Sequence, residues 1–189
     1  IRFLRAHAKE YQLDPDRIGI MGRSAGGHLA AMAALNLDGY DTEEWKGYSS
    51  KVQAAYDMFG PVDVVQLMKH DRVQMESDPN YRWKTVEETH AGALMGGDPD
   101  TMLERAKDAS AVYRLEEAAD MAPMLIMHGD SDWLVPPSIS IEFYQKLVET
   151  GREDKVELYL LKGAGHGTPE FFQYQTKEIV TNFFDKYLL

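Results

Sequence analysis

An α/β fold, with helices on both faces of a parallel sheet, is predicted by the order of apolar segments along this chain. Runs of strand length alternate with stretches of helical period over the 189 residues, and this alternation is typical of parallel sheets. The run APMLIMHGD at 122–130 is apolar almost to its end, as strands buried on both faces tend to be. The length and a hydrophobic content of 44% fit a single domain over residues 1–189.

The first part of the chain is predicted to alternate between helix and strand. Apolar residues at helical spacing indicate the first helix, and Pro15 breaks that pattern. Gly60, followed by Pro61, stops the second strand. The predicted elements are a helix at 1–12, a strand at 17–21, a helix at 25–37 and a strand at 52–60.

Residues 62–120 differ from the rest of the chain, because they are charged, rich in methionine and interrupted by turn signals such as GGDPD. We interpret them as a mostly helical, lid-like insert within the single domain. Its short helices are predicted near 63–69, 87–95 and 100–108. The elements predicted beyond it are a strand at 122–130, a helix at 136–150 with Gly151 just past its end, a strand at 155–163 and a terminal helix at 168–189.

The composition argues against several kinds of partner and site. A net charge of −11 argues against nucleic acid, because phosphate binding needs a basic patch. The chain has no cysteine, which excludes disulfides and thiolate catalysis, and no run approaches the roughly 18 apolar residues of a membrane span. The sequence contains neither a dinucleotide fingerprint nor a ligand cluster with metal-binding spacing, so we expect no cofactor and no metal.

The segment GRSAG at 22–26 matches the pattern G-x-S-x-G between a predicted strand and a predicted helix. A sharp turn there holds Ser24 in a strained backbone conformation, with its hydroxyl at the carboxyl end of the sheet. We expect glycine at Gly22 and Gly26 because side chains would collide across the turn. The N–H of Ala25, at the start of the helix, is the natural donor to an oxyanion.

A base for Ser24 must lie at the same end of the sheet, because a serine hydroxyl alone is a poor nucleophile. Among the six histidines, His166 meets this requirement, since it lies in the loop KGAGHGT directly after the strand VELYLL. His128 also ends a strand, but the turn MHGDSDWLVP around it indicates a packed structural histidine. We interpret His28 as a residue on the helix face near the site.

An acid must hold the imidazole of the base in one tautomer. The segment HGDSDWLVP offers Asp130 and Asp132, both directly after the third strand. We prefer Asp132, because it lies two residues further into the loop and reaches outward more easily, whereas Asp130 can cap the turn. The chain order is then serine, aspartate, histidine, as is typical of this serine turn on a parallel sheet.

Four motifs of the chain carry a resemblance to one known superfamily: DPDRIGIMGRSAGGHLA, FGPVD, APMLIMHGDSDWLVP and LYLLKGAGHG. With them the chain resembles the α/β-hydrolases, and within these the esterase group that includes hormone-sensitive-lipase-like and xylan or feruloyl esterase-like enzymes. The resemblance implies a serine carboxylesterase with Ser24 as nucleophile, Asp132 as orienting acid and His166 as base. It further implies a small-molecule ester as substrate, an acetyl or aryl ester, with plant carbohydrate as the suggested alcohol.

Side chains near these residues are predicted to contact the substrate. Arg23 precedes the nucleophile, and Trp133 follows the orienting acid, where it can line the acyl pocket. In the insert, an aromatic or sugar pocket could be shaped by Tyr81, Trp83 and Met95. Packing of these three residues within the core of the insert is the preferred interpretation.

The resemblance is incomplete at the start of the chain. Members of that superfamily carry an upstream strand and an HGGG-like loop that supplies oxyanion donors, and this sequence has no such segment. We therefore expect strand 17–21 to be a sheet edge that pairs with a missing N-terminal segment or with a second copy in a homodimer. Two other functions remain open, a serine peptidase of the prolyl-oligopeptidase kind and a catalytically incomplete fragment.

Overall fold

The computed structural model describes residues 1–40 and 42–189, without the side chain of Pro99. Four strands form one parallel sheet in the order β1-β2-β3-β4. They are β1 (Gly19–Arg23), β2 (Ala54–Met58), β3 (Met124–Gly129) and β4 (Val156–Leu161). Because all four strands run in the same direction, their carboxyl ends meet at one edge of the sheet, where parallel sheets bind ligands.

Helices follow the strands and cover both faces of the sheet, as the sequence predicts. The helices are α1 (Arg2–Ala6), α2 (Ala25–Ala34), α3 (Val64–Ser77), α4 (His90–Met95), α5 (Leu103–Asp108), α6 (Ser138–Glu149) and α7 (Tyr174–Leu188). Short 3₁₀ turns lie at Val86–Glu88, Pro99–Met102, Ala111–Tyr113, Leu115–Glu117, Glu153–Lys155 and Pro169–Phe172.

The core is split into two clusters by the sheet, because successive side chains of a strand point to opposite faces. On β3, Ile126 packs with α2, α3 and α6, whereas Leu125 and Met127 pack on the other face. There, Phe183 of α7 and Phe171 of the preceding 3₁₀ turn cover the sheet. All of these side chains are almost completely buried, so hydrophobic burial explains why the strand runs are continuously apolar.

The lengths of three helices differ from those predicted from the sequence. The first helix ends at Ala6, not at residue 12, and buries none of its residues, so packing does not extend it. In contrast, α3 continues to Ser77, beyond the predicted 63–69. Its start is fixed by Asp63, whose side chain accepts the N–H of Gln66 as an N-cap. The terminal helix begins at Tyr174, after the 3₁₀ turn.

The insert at 62–120 packs on the same core as the sheet. Val64, Leu67 and Met95 belong to the cluster that contains Ile139 of α6. β1 is one of the two edge strands of the sheet, and no strand of the described residues pairs with its outer edge. The side chain of Met21 on β1 is 57% exposed. None of the helices in the described part of the chain is long and apolar enough to cross a membrane.

Candidate active site

Ser24 lies in the sharp turn between β1 and α2, with backbone angles φ 53° and ψ −122°. A positive φ is rare for a residue with a side chain and persists only where the surroundings enforce it. Here the N–H of Ser24 donates to the carbonyl of Met58, at 2.9 Å. A Cβ at Gly22 would overlap the carbonyl of Gly26. The turn is therefore closed so tightly that only glycine fits at its first position.

The expectation for Gly26 was wrong, because a Cβ at that position meets no atom within 4 Å. The position that needs a glycine is the next one. A Cβ at Gly27 would overlap Oδ1 of Asp57, and a Cβ at Gly60 would overlap the same oxygen. The close approach is thus between the helix and the end of β2, and not across the serine turn alone.

Two alanine substitutions in this turn are predicted to differ in their effect on the free energy of unfolding. Gly22→Ala should lower the free energy of unfolding by about 2–4 kcal/mol, because the new methyl group must displace backbone. Gly26→Ala is the matched control and should be neutral or stabilising by up to about 1 kcal/mol, since alanine is the better helix former. Urea unfolding followed by circular dichroism measures both, and an equal loss in the two variants would contradict the packing described here.

The three predicted triad residues come together at the carboxyl edge of the sheet. His166 Nε2 lies 2.9 Å from Ser24 Oγ, and His166 Nδ1 lies 2.7 Å from Asp132 Oδ2. In the neutral tautomer that fits these contacts, Nδ1–H donates to the carboxylate and Nε2 accepts the serine proton. Ser24 follows β1, Asp132 follows β3 and His166 follows β4, so parallel topology brings together residues far apart in sequence.

Asp132 is held by the loop that contains it. Its Oδ1 accepts the N–H groups of Leu134 and Val135 at 2.9 and 3.0 Å. Its Oδ2 faces His166 Nδ1 at 2.7 Å and His128 Nε2 at 3.4 Å. Burial favours a raised pKa, but the contacts with His128, His166 and the Val135 N–H hold the pKa of Asp132 well below its ordinary value. The carboxylate is thus ionised at neutral pH and can keep the imidazole in one tautomer.

The other candidates among the histidines and aspartates have different surroundings. His128 is fully buried, and its ring nitrogens contact Ser140 Oγ and the Val135 carbonyl at 2.7 and 2.9 Å. His28 lies on α2 with Nε2 2.6 Å from the carbonyl of Ala109. Asp130 Oδ1 accepts the N–H of Gly163 at 2.7 Å and so ties the loops after β3 and β4 together. His128 Nε2 also lies 3.4 Å from Asp132 Oδ2 and so supports the orienting acid, whereas neither ring nitrogen of His128 contacts Ser24 or His166 in the described residues.

Phe59 is a site residue that the sequence analysis missed. Its ring meets the imidazole of His166 edge to face, with 4.6 Å between ring centroids, and it contacts Phe171 in the same way at 4.7 Å. The backbone of Phe59 has a positive φ of 48°. The one signal in the sequence is its place in the motif FGPVD, at the carboxyl end of a buried strand.

The start of α2 offers backbone donors beside Ser24. Ala25 is the first residue of this helix, and no acceptor for its N–H is found among the described residues. The first N–H groups of a helix lack intrahelical partners and carry the positive end of the helix dipole. The arrangement therefore suits an oxyanion that forms next to the serine.

A cavity of about 430 Å³ opens next to Ser24. The insert supplies much of its wall, through residues that include Leu67, Trp83, His90 and Leu94. Trp83 is buried and its ring meets that of His90 edge to face, at 4.7 Å. This apolar wall suits an aryl or acyl group better than a strongly polar one.

Other residues predicted to bind the substrate lie outside this cavity wall. Arg23 and Trp133 are exposed, the latter to 58%, and neither lines the cavity. Their contact with the substrate stays a prediction. Of the aromatic and methionine residues singled out in the insert, Tyr81 and Met95 are buried, and Met95 belongs to the core cluster. Within residues 1–40 and 42–189 no group of three or more potential ligands could hold a metal ion.

The chain matches one protein-family model and is similar in sequence to several proteins named as esterases. The family model BD-FAE matches residues 1–147. The probable carboxylic ester hydrolase LipM of Mycobacterium tuberculosis is 30% identical over 159 residues, which cover 82% of this chain and 33% of LipM. This chain spans only about a third of the length of the curated relatives it matches.

Two solved structures are similar over almost the whole chain. A truncated carbohydrate esterase from gut microbiota superposes with a TM-score of 0.77 at 28% identity, covering 98% of this chain and 65% of that one. The esterase Est2 of Thermogutta terrifontis with butyrate bound has a TM-score of 0.69 at 27% identity, covering 98% of this chain and 62% of its own.

Proposed function

The chain belongs to the BD-FAE family, and from this premise we propose that it is a serine carboxylesterase. The observation that supports the proposal most strongly is the pair of hydrogen bonds on His166, 2.9 Å to Ser24 Oγ and 2.7 Å to Asp132 Oδ2. A nucleophile, a base and an orienting acid in this contact are what acyl transfer through a serine requires. The names of its relatives, a carboxylic ester hydrolase among them, agree with this reaction class.

The proposed reaction proceeds through an acyl-enzyme. Ser24 Oγ attacks the ester carbonyl while His166 Nε2 takes its proton, and the N–H of Ala25 holds the oxyanion. The C–O bond to the alcohol then breaks, and His166 gives the proton to the departing alcohol oxygen. Water, deprotonated by the same imidazole, then attacks the acyl carbonyl. The bond between the acyl carbon and Ser24 Oγ breaks, the imidazolium gives its proton to Ser24 Oγ, and the acid is released. Asp132 stays ionised throughout and stabilises the imidazolium.

For the substrate we propose acetyl or aryl esters of a carbohydrate. The apolar wall beside Ser24 suits an aryl or short acyl group. A carbohydrate esterase and an esterase that binds butyrate are among the similar structures. Residues 62–120 act in this proposal as a lid-like insert of the single domain, because they form one side of the cavity.

Hydrolysis of p-nitrophenyl acetate by the purified chain tests the reaction class. We expect turnover of this ester and none of aminoacyl-proline amides, which the prolyl-oligopeptidase alternative would cleave. A fluorophosphonate probe distinguishes an active esterase from a catalytically incomplete fragment. Labelling by the probe needs only an activated serine, whereas turnover needs the complete site. Labelling without turnover would show a catalytically incomplete fragment, and the absence of both would contradict the proposal.

The outer edge of β1 is our proposed contact for a further strand. Its backbone groups have no strand partner among the described residues, and an edge of this kind pairs readily with another chain. The partner in this proposal is a second copy of the chain or a segment that precedes it. Size-exclusion chromatography with light scattering distinguishes the two, since a monomer at all concentrations would contradict the homodimer.

A further inference from the structure

We infer that Asp57 is a positioning residue of the proposed reaction, because its buried carboxyl group holds the turn after β2 that contacts both Ser24 and His166. The inference rests on the proposed function, since it assigns a task to a residue outside the triad. It concerns the turn at 57–60, which joins the end of β2 to the insert. Neither the serine motif nor the order of the triad points to this residue.

The carboxyl group of Asp57 lies in a slot between the turn and helix α2. Asp57 pairs with Gly22 in the register of β1 and β2, and its side chain has no exposed surface. Oδ1 accepts the N–H of Gly60 at 2.8 Å. This oxygen also occupies the space in which a Cβ of Gly27 or of Gly60 would lie. Two glycines, one on the helix and one on the turn, thus leave room for a single oxygen.

The two residues between Asp57 and Gly60 each contact a member of the triad. The carbonyl of Met58 accepts the N–H of Ser24 at 2.9 Å and so supports the strained serine turn. The ring of Phe59 packs edge to face on the imidazole of His166. The hydrogen bond from Gly60 to Asp57 closes this short turn from its far side. A shift of the turn therefore moves the nucleophile and the base together.

Backbone strain at Phe59 requires contacts that enforce it. Its φ of 48° is unfavourable for a residue with a side chain, and such a conformation persists only when the surroundings over-determine it. The N–H of Phe59 donates to the Met127 carbonyl at 2.8 Å, and the Asp57–Gly60 bond fixes the next residue. Asp57 thus fixes the residue that follows Phe59, while the Met127 carbonyl holds Phe59 itself, and both bonds support the position of the ring beside His166.

A carboxyl group buried at this position lowers the stability of the fold, so packing alone does not explain why it is there. Burial raises the pKa of Asp57 to about 6, against the opposing effects of the Gly60 N–H and of His128. Oδ2 has no hydrogen-bond partner among the described residues, and a buried polar atom without a partner costs stability. The side chain of Asp57 supplies a hydrogen-bond acceptor that reaches the N–H of Gly60. The amide oxygen of an asparagine could accept the same hydrogen bond.

Two substitutions at this position test the inference, with p-nitrophenyl acetate as substrate. Asp57→Ala removes the acceptor and should lower kcat by about 10- to 100-fold with KM nearly unchanged, because displacement of reacting groups by about 1 Å has effects of this size. Asp57→Asn keeps the acceptor for the Gly60 N–H and should restore kcat to within about 3-fold of the original chain. Circular dichroism and thermal unfolding show what fraction of each variant is folded.

A merely structural role gives a different result. Leu147→Ala serves as the control for lost stability, because this side chain is fully buried in the core near the end of α6, the helix that runs back from the carboxyl edge of the sheet. It should lower the melting temperature and leave kcat unchanged. If Asp57→Ala does not fold, Phe59→Leu takes its place, since it removes the ring contact with His166 and should lower kcat by about 5- to 10-fold.

The outcomes separate this inference from the proposed function. Normal kcat in folded Asp57→Ala, or in Phe59→Leu, would overturn the inference while ester hydrolysis stands. Failure of Asp57→Asn to restore kcat in a folded protein would overturn the assignment of the acceptor. A chain that neither turns over the ester nor reacts with a fluorophosphonate would overturn the proposed function, and the inference with it.

Discussion

Replacement of Ser24 by alanine is expected to lower kcat for p-nitrophenyl acetate by about 10⁴-fold or more. Without Oγ there is no atom to form the acyl-enzyme, while the oxyanion donors and the cavity remain. The remaining rate should be close to that of hydrolysis by water within the same site. Steady-state kinetics with protein checked for folding by circular dichroism measures the effect.

Ser131→Ala is the matched control for this prediction. Ser131 lies in the exposed loop beside Asp132, and its hydroxyl donates to Asp130 Oδ1 at 2.9 Å. Its loss removes a serine close to the site but leaves the triad contacts intact, so kcat should stay within about 2-fold, since such surface changes have small effects. Equal rates for the original chain and Ser24→Ala would exclude Ser24 as the nucleophile.

Asp132→Asn is expected to lower kcat by about 10⁴-fold while the fold is kept. The amide is nearly the same size as the carboxyl group, but it can present N–H to His166 Nδ1 and thereby favour the wrong tautomer of the imidazole. It also cannot stabilise the imidazolium that forms during attack. Asp130→Asn is the matched control, because Asp130 Oδ1 accepts N–H from Gly163 and an amide oxygen can do the same.

The difference in stability between the original chain and Asp132→Asn should also depend on pH in a defined direction. The contacts with His128, His166 and the Val135 N–H hold the pKa of Asp132 well below its ordinary value in the folded chain, against the effect of burial. A lowered pKa adds stability above the unfolded-state pKa of about 4 and loses it as the pH falls. The original chain should therefore exceed the variant in melting temperature at pH 7, by a margin that shrinks below pH 4. A constant margin would contradict this linkage.

The sequence predicts those parts of the site that depend on short motifs and on the order of neighbouring strands and helices. The segment 22–26 indicates a strand, a turn and a helix in succession, and parallel strand order then requires that residues after β3 and β4 reach Ser24. Asp132 and His166 could be chosen on this basis because each directly follows a strand. Their hydrogen bonds in the structure lie within the distances that catalysis needs.

The parts that the sequence does not predict depend on contacts between distant segments. Glycine at 27 is required by the carboxyl group of Asp57 from another strand, and no local pattern shows this. The contact of Phe59 with His166 joins residues from β2 and β4 loops, so the motif FGPVD alone could not assign it. The same holds for Trp83 and His90, which line the cavity only because the insert folds over the sheet edge.

Stabilisation of the oxyanion determines which esters the proposed site hydrolyses fastest. In the proposed mechanism the N–H of Ala25, at the start of α2, is a backbone donor to the oxyanion, and removal of a single oxyanion donor in other enzymes costs about 10²–10³ in rate. Esters with good leaving groups demand less of that site, because attack on them has an earlier transition state in which less charge has developed on the carbonyl oxygen. We therefore expect p-nitrophenyl esters to be hydrolysed faster than alkyl esters of the same acid.

Mass spectrometric mapping of a fluorophosphonate adduct tests most directly the central claim that Ser24 is activated by His166. The account predicts one adduct per chain, on the peptide that contains Ser24, with labelling at least about 10²-fold slower in His166→Ala, because loss of a general base has at least this effect. An adduct on any other residue, or labelling of Ser24 at an unchanged rate in His166→Ala, would contradict it.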